Sequence, residues 1–586
     1  MIKLLKNLKK REWILAIISF LLIVAQVWLE LKMPDYMSEI TVLVQSKESK
    51  MSDILTNGGY MLLCAFGSLV SAIIVGYLIS NISATFSMNT RKKLFSKVEN
   101  LAMQEVKQFS TSSLITRTTN DITQVEMLVG MGLQLLIKSP ITAIWAVTKI
   151  LNKSWQWSMI TAIAVLILLT VIAILVIIVM PKFKIVQKLT DKLNGVTREN
   201  LTGIRVVRAF NAENYQEEKF DEVNNKLTNQ QLFNQKAFAI MSPIMYLVMY
   251  FLTLSIYFVG ATLIKDALMV DKLTLFGDMV VFSSYAMQVI MSFLMLAMIF
   301  MMLPRAQVSA RRINEVLDTK ISIKDGEIKE NITKEVGTVE FKNVSFKYPD
   351  AEEYLLKNIS FKAKKGETIA FIGSTGSGKS TLINLVPRFY DATDGEVLVD
   401  GVNVKEYSQD FLHQKLGYVP QKAVMFDGTV KSNVSYGDSG KEKTDKAIKE
   451  AIKVAQAEDF VLKMDDEYDT HIAQGGTNVS GGQKQRLAIA RAIARNPEIY
   501  IFDDSFSALD YKTDSILRHE LKKYTKNATS LIVAQRIGTI MNADKILVLD
   551  NGECVGQGTH KELLKNCDVY KQIALSQLSK EELDNA

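Results

Sequence analysis

The sequence predicts a two-part fold: an α-helical membrane domain of six transmembrane helices with long cytoplasmic extensions, then an α/β P-loop domain with a helical subdomain. Three observations predict it. Apolar, nearly charge-free runs recur six times before residue 304. After Gly337, β-like runs alternate with helical segments, the pattern of an α/β domain. Between one such run and the next helix stands the glycine-rich string GSTGSGKS, Gly373 to Ser380. The expected division is a membrane domain over 1–315, a linker over 316–336 and an α/β domain over 337–586.

The apolar runs fall around 13–31, 59–80, 131–148, 157–180, 237–264 and 279–303. Each approaches the ~20 residues a helix needs to cross hydrocarbon. The first lacks a small-residue cleavage site and is followed by further spans, so it reads as a permanent helix rather than a removed signal. Its basic flank MIKLLKNLKKR places the N-terminus in the cytoplasm, and six spans bring the chain back to that side. The expected location is the cell membrane, plasma or inner, with both ends cytoplasmic and the lipid bilayer as a constant partner.

The connections are lopsided. Short outer loops are expected near Lys153 and over Asp266 to Lys272, whereas 81–130 and 181–236 are long, polar and helix-forming. Some 25 helical residues out and 25 back would reach roughly 35 Å beyond the membrane. Past Pro304 the chain is charged and helical to Leu317, then short and polar to about Lys334.

The net charge of +7 is accounted for by Lys and Arg on membrane flanks and solvated faces; no basic-aromatic nucleic-acid motif accompanies it, and no nucleic-acid partner is expected. Three cysteines, Cys64, Cys554 and Cys567, show no metal-ligand spacing and read as reduced thiols.

The string Gly373, Ser374, Thr375, Gly376, Ser377, Gly378, Lys379, Ser380 follows the apolar strand ETIAFI and precedes a helix beginning near Thr381, the setting a P-loop requires. Its glycines let backbone N–H groups cradle phosphates, Lys379 should reach the β/γ-phosphates, and Ser380 should ligate Mg²⁺. The expected cofactors are therefore ATP and Mg²⁺. IYIF delivers Asp503 to a strand tip, where its carboxylate can hold the metal.

P-loop, NVSGGQ (Asn478, Val479, Ser480, Gly481, Gly482, Gln483), the strand ending in Asp503 and SALD (Ser507 to Asp510), in this order behind six spans, resemble an ABC transporter of the exporter type. The resemblance covers nearly the whole chain. It implies that NVSGGQ contacts the nucleotide of an opposite subunit and that Tyr348 in VSFKY stacks on adenine. It further implies that Gln421 in YVPQ senses Mg²⁺ and the γ-phosphate, and that Asp510 links the two sites. TSSLITRTTND at 111–121 and GIRVVRAFNAENYQEEKF at 203–220 resemble the intracellular coupling helices.

Two positions depart from the family pattern. Asp504 stands where efficient members carry the catalytic Glu, and Gln535 stands where they carry the switch His. Aspartate is one methylene shorter, and misplacing the attacking water by about 1 Å can cost roughly 10²-fold. Glutamine donates a hydrogen bond but cannot become a cation. The resemblance is then to the degenerate-site subunit of heterodimeric bacterial multidrug exporters. The expected function is one half of an ATP-driven exporter of apolar or amphiphilic, drug-like compounds, whose NVSGGQ completes a distinct partner's competent site. A homodimeric exporter or lipid flippase with slow hydrolysis, and an ATP-gated regulator or channel, are the alternatives. Nothing peptidase-like precedes the first span, so a leader-cleaving peptide exporter is not expected.

On the sixth span Met287, Met291, Met295, Met298 and Met302 share one helical face, open to two readings, a pliable cargo surface or helix packing. Glu30 and Lys138 are the notable charges inside apolar runs.

Overall fold

The computed structural model describes residues 2–6, 8–45, 50–151, 155–268, 271–440 and 442–578. Two compact units emerge: 1–99 with 111–319, and 100–110 with 320–586.

The first unit holds six helices long and apolar enough to span a membrane: Lys10–Gln45, Met51–Glu99, Thr111–Leu151, Trp155–Thr202, Glu213–Asp266 and Asp271–Leu296, the last within a helix that runs on to Asp318. The helices Met51–Glu99, Trp155–Thr202 and Glu213–Asp266 have 49, 48 and 54 residues, about 70–80 Å each, so they continue well past the ~30 Å of hydrocarbon. Residue 152–154 and residues 269–270, where the short outer loops were expected, lie outside the described residues. Pro181 and Pro304 both sit inside unbroken helices. Neighbouring helices in a membrane can satisfy the carbonyl that proline leaves without its donor.

The core of this unit is apolar where the helices face one another, with Trp157, Phe282, Tyr285 and Ile256 at its centre. Several polar side chains there are paired. Glu30 Oε1 accepts from Lys138 Nζ at 2.9 Å, from Gln26 Nε2 at 2.9 Å and from Ser68 Oγ at 3.2 Å. Asp35 takes Lys149 Nζ at 2.6 Å and the Tyr285 hydroxyl at 2.6 Å. Glu30 and Lys138 are thus one another's partners, as hydrocarbon demands of charges it surrounds.

The second unit carries a four-stranded sheet and a six-stranded one. The strands are β1 Val339–Phe346, β2 Leu356–Ala363, β3 Thr368–Gly373, β4 Asp394–Val399, β5 Val402–Asn403 and β6 Leu416–Val419. They continue with β7 Gly428–Thr429, β8 His471–Ile472, β9 Ile499–Asp503, β10 Thr529–Val533, β11 Lys545–Asp550 and β12 Glu553–Gly558. The antiparallel sheet runs β2-β1-β4-β5, and the larger sheet runs β12-β11-β3-β10-β9-β6. Within the latter, β11, β3, β10, β9 and β6 are parallel. β9 is buried along its whole length, IYIFD, which is the reading of a central parallel strand covered on both faces. The stretch read as linker is not free of structure: Ile328 bridges Tyr407, and Gly326 N donates to Tyr407 O at 2.9 Å. Helices Asp445–Val454, Gly481–Ala494 and Tyr511–Tyr524 flank the sheets.

Candidate nucleotide site

Parallel order decides where the functional residues meet. Val533 of β10 is in register with Phe371 of β3 and Asp503 of β9, and Val419 of β6 with Phe502 of β9. The segments that follow all four strands therefore emerge at one edge, where ligands bind in parallel α/β sheets. They are the P-loop, Gln421, Asp503 with Asp504, and Gln535.

The P-loop closes on Gly376 and Gly378 at φ +87° and +92°, a region open to glycine, and leads into the helix Lys379–Asn384. A Cβ on Gly373 would lie 2.0 Å from the Leu549 carbonyl oxygen, so no larger residue fits. Lys379 Nζ donates to the carbonyls of Gly373 at 2.9 Å and Ser374 at 2.7 Å, which hangs the ammonium over the loop. Burial pulls its pKa down, against the nearby Asp504 and Asp503 carboxylates. Ser380 Oγ donates to Asp503 Oδ1 at 2.7 Å. This donor set fits the Mg²⁺ complex of a nucleoside triphosphate: loop N–H groups and a cation for phosphate, a hydroxyl and a carboxylate for the metal. Bound Mg²⁺ supplies charge neutralisation to the phosphates.

Asp504 is the residue on which the pocket converges. Its backbone is left-handed, φ +47°, a conformation that aspartate tolerates better than most. Gln535 Nε2 donates to its Oδ2 at 2.8 Å, and Gln421 Nε2 donates to the same oxygen at 3.3 Å. Desolvation pushes the carboxyl above its ordinary value, opposed by hydrogen bonds from Gln421, Ser507 and Gln535 and by Lys379. Asp503 is likewise raised, chiefly by desolvation. Ser505, fully buried, donates to Val419 O at 3.0 Å and pins the turn after β9 to β6.

Tyr348 follows β1, with its hydroxyl 3.0 Å from Thr381 Oγ1 on the P-loop helix. Its ring meets Phe346 and Tyr390 edge-on, at 5.0 and 5.3 Å between centroids. Sequence reasoning missed its other neighbour. Lys107, on the short helix Met103–Gln108 that belongs to this unit, places its ammonium 4.7 Å from the Tyr348 ring centroid and 5.3 Å from that of Tyr390. The polar character of 81–130 signalled a soluble helix there but not which lysine meets an aromatic face.

The NVSGGQ segment is a helix start. Ser480 is the N-cap of Gly481–Ala494: its Oγ accepts from Gln483 N at 3.3 Å while Gln483 Oε1 accepts from Ser480 N at 2.8 Å, a capping box. Asn478 holds the preceding loop through Ala473 N at 3.0 Å and His471 O at 2.8 Å; Val479 is buried, and Gly481 has open space at its Cβ position. Among the described residues no hydrogen bond or ion pair joins Asn478–Gln483 to the P-loop. Asp510 caps Tyr511–Tyr524 by accepting from Thr513 N at 3.0 Å, and this bond holds its carboxyl below the ordinary range.

Residues 16–293 match the ABC transporter transmembrane region, and residues 356–507 match the ABC transporter family. An uncharacterized ABC transporter ATP-binding protein of Mycobacterium tuberculosis is 38% identical over 521 residues, covering 89% of this chain and 87% of that protein. An uncharacterized ABC transporter ATP-binding protein of Bacillus subtilis is 35% identical over 88% of each chain. A Haemophilus influenzae protein named ATP-dependent lipid A-core flippase is 32% identical over 87% of this chain and 86% of its own. The solved structure of a bacterial Atm1-family ABC exporter with ATP bound superposes with a TM-score of 0.81 at 23% identity, over 97% of this chain and 99% of that one, which establishes a shared fold. With its six spanning helices and its P-loop sheet, the chain belongs to the ABC transporter family, a multi-pass membrane protein with a cytoplasmic ATPase domain built on an ABC exporter fold.

Proposed function

We propose that this chain is the degenerate-site half of a heterodimeric exporter: its own pocket retains MgATP and hydrolyses it poorly, while Asn478–Gln483 complete the competent site of a distinct partner chain. The observation that carries the reading is the sharing of one carboxylate oxygen, Asp504 Oδ2, between the amides of Gln535 and Gln421. A short carboxylate held by two uncharged donors is badly placed to orient a water. The intact P-loop, with Ser380 beside Asp503, supports binding.

In this reading Tyr348 takes the adenine, Lys379 the phosphates, Ser380, Gln421 and Asp503 the Mg²⁺, and Asp510 stands at the link between sites. Cargo is apolar or amphiphilic. Met291, Met295 and Met298 are 45%, 36% and 55% exposed on the sixth helix, leaving a thioether face free for a partner or for cargo. The relative named as a lipid A-core flippase favours a second cargo reading, a lipid.

The test is steady-state ATP turnover of the purified full chain in lipid nanodiscs beside Asp504→Glu/Gln535→His. Near-silence in the natural chain with gain in the double variant supports the proposal. Brisk turnover by the natural chain alone overturns it and leaves a self-sufficient homodimer.

A further inference from the structure

The last described helix, Asp568–Gln577, ends in a side chain that grips the segment carrying Gln535. Gln577 Nε2 donates to the Gln535 carbonyl oxygen at 2.8 Å, and Gln577 Oε1 accepts from Ile537 N at 2.8 Å. The second bond has a specific use. Helix Ile537–Ile540 begins at Arg536, which supplies no side-chain cap, so the N–H of Ile537 would otherwise be one of the orphan donors of a helix start. Gln577 caps it from another element and grips the backbone on both sides of Arg536.

The clamp is anchored. Tyr570 and Ala574 of the same helix are fully buried, and the Tyr570 hydroxyl lies 2.6 Å from His560 Nδ1. The gripped segment is tied forward to the pocket: Gln535 Nε2 reaches Asp504 Oδ2 at 2.8 Å, Arg536 Nη2 donates to Ser507 O at 3.3 Å, and Ser507 Oγ donates to Asp504 O at 2.8 Å. A displacement at residue 577 therefore changes the setting of the Gln535 amide without touching the P-loop.

We infer that Gln577 is a positioning residue for Gln535, through which the C-terminal helix sets how well the pocket distinguishes a nucleoside triphosphate from a diphosphate. The inference rests on the proposed MgATP pocket and takes Asp504 and Gln535 to face the γ-phosphate in it. Losing one such hydrogen bond changes an equilibrium by roughly three- to tenfold.

The experiment uses the full chain in nanodiscs. A fluorescent ADP is displaced by Mg²⁺ with ADP or with a non-hydrolysable ATP analogue, giving the ratio of the two affinities. Gln577→Ala should lower the triphosphate preference about three- to tenfold, with ADP affinity within twofold, and the loss should vanish in a Gln535→Ala background. Gln577→Glu keeps an acceptor for Ile537 N but sets a carboxylate oxygen against the Gln535 carbonyl; it should lower the preference at least as much as Gln577→Ala, and it decides the matter if Gln577→Ala fails to fold. If Gln535→Ala shifts the ratio and the Gln577 variants leave it unchanged, or if their effects multiply, this inference alone is overturned. If Gln535→Ala itself leaves the ratio unchanged, the γ-phosphate reading and this inference fall together.

Discussion

Gln535 Nε2 lies 2.8 Å from Asp504 Oδ2, joining the two residues on which the proposed degenerate site rests. The two are thus one arrangement: an amide donor facing a short carboxylate. Residues in contact couple by roughly 0.5–3 kcal/mol. Asp504→Glu and Gln535→His made singly should each raise turnover less than their joint effect divides into, so the double variant exceeds the product of the singles. Multiplicative single effects in the nanodisc ATPase assay would show two independent changes.

Burial raises the carboxyl of Asp504 above its ordinary value, and that has a sign. A carboxyl with a folded pKa above its unfolded one binds its proton more readily in the folded state, so stability is gained as pH falls through the folded value and lost as pH rises through it. Asp504→Asn removes the charge and keeps an oxygen for Gln535. Thermal melting of the nucleotide-free chain should be higher for this variant at pH 7.5, and the difference should shrink as the medium is acidified through the carboxyl's folded value.

Tyr348 holds its ring beside the P-loop helix through the contact with Thr381 Oγ1. Stacking a base on an aromatic face contributes about 1–3 kcal/mol. Tyr348→Ala should weaken MgATP binding by roughly tenfold or more, with tripolyphosphate affinity nearly unchanged, whereas Tyr348→Trp retains most ATP affinity. Equilibrium displacement titrations with both ligands check this.

Lys415 is 3% exposed and joins Asp400 Oδ2 at 2.7 Å to Glu498 Oε2 at 2.9 Å. Removing one partner of a buried pair strands the other charge, at a cost of about 3–5 kcal/mol. Lys415→Met should destabilise the ATPase domain by that order, and Lys415→Met/Asp400→Asn should recover part of it. Denaturant titration of the full chain, followed on its second transition, reads both.

Glu30 and Lys138 make the same argument in the membrane unit, 2.9 Å apart. Lys138→Ala should cost more thermal stability in nanodiscs than Lys138→Ala/Glu30→Gln, because the single change leaves a carboxylate without its cation. A single variant as stable as the double would show that lipid or water already serves Glu30.

Six spans, long cytoplasmic helices, the P-loop and the alternation of strands with helices were legible from the chain because each depends on local patterning: apolar length, alternation, and glycines at a strand-to-helix turn. The capping box of Ser480 and Gln483 is equally local, spanning four residues, although the structure was needed to reveal it.

The sequence by itself named the residues of the candidate nucleotide site, Asp504 and Gln535 among them. Only the tertiary structure decided that Gln535 and Gln421, 31 and 83 positions from Asp504, share its one oxygen. It likewise decided that Glu30 finds Lys138 across 108 positions, that Lys107 meets Tyr348, and that Gln577 clamps the segment behind Gln535. These pairings are set by strand order and helix packing, which place distant residues within hydrogen-bond range, and no pattern of neighbours along the chain encodes such a distance.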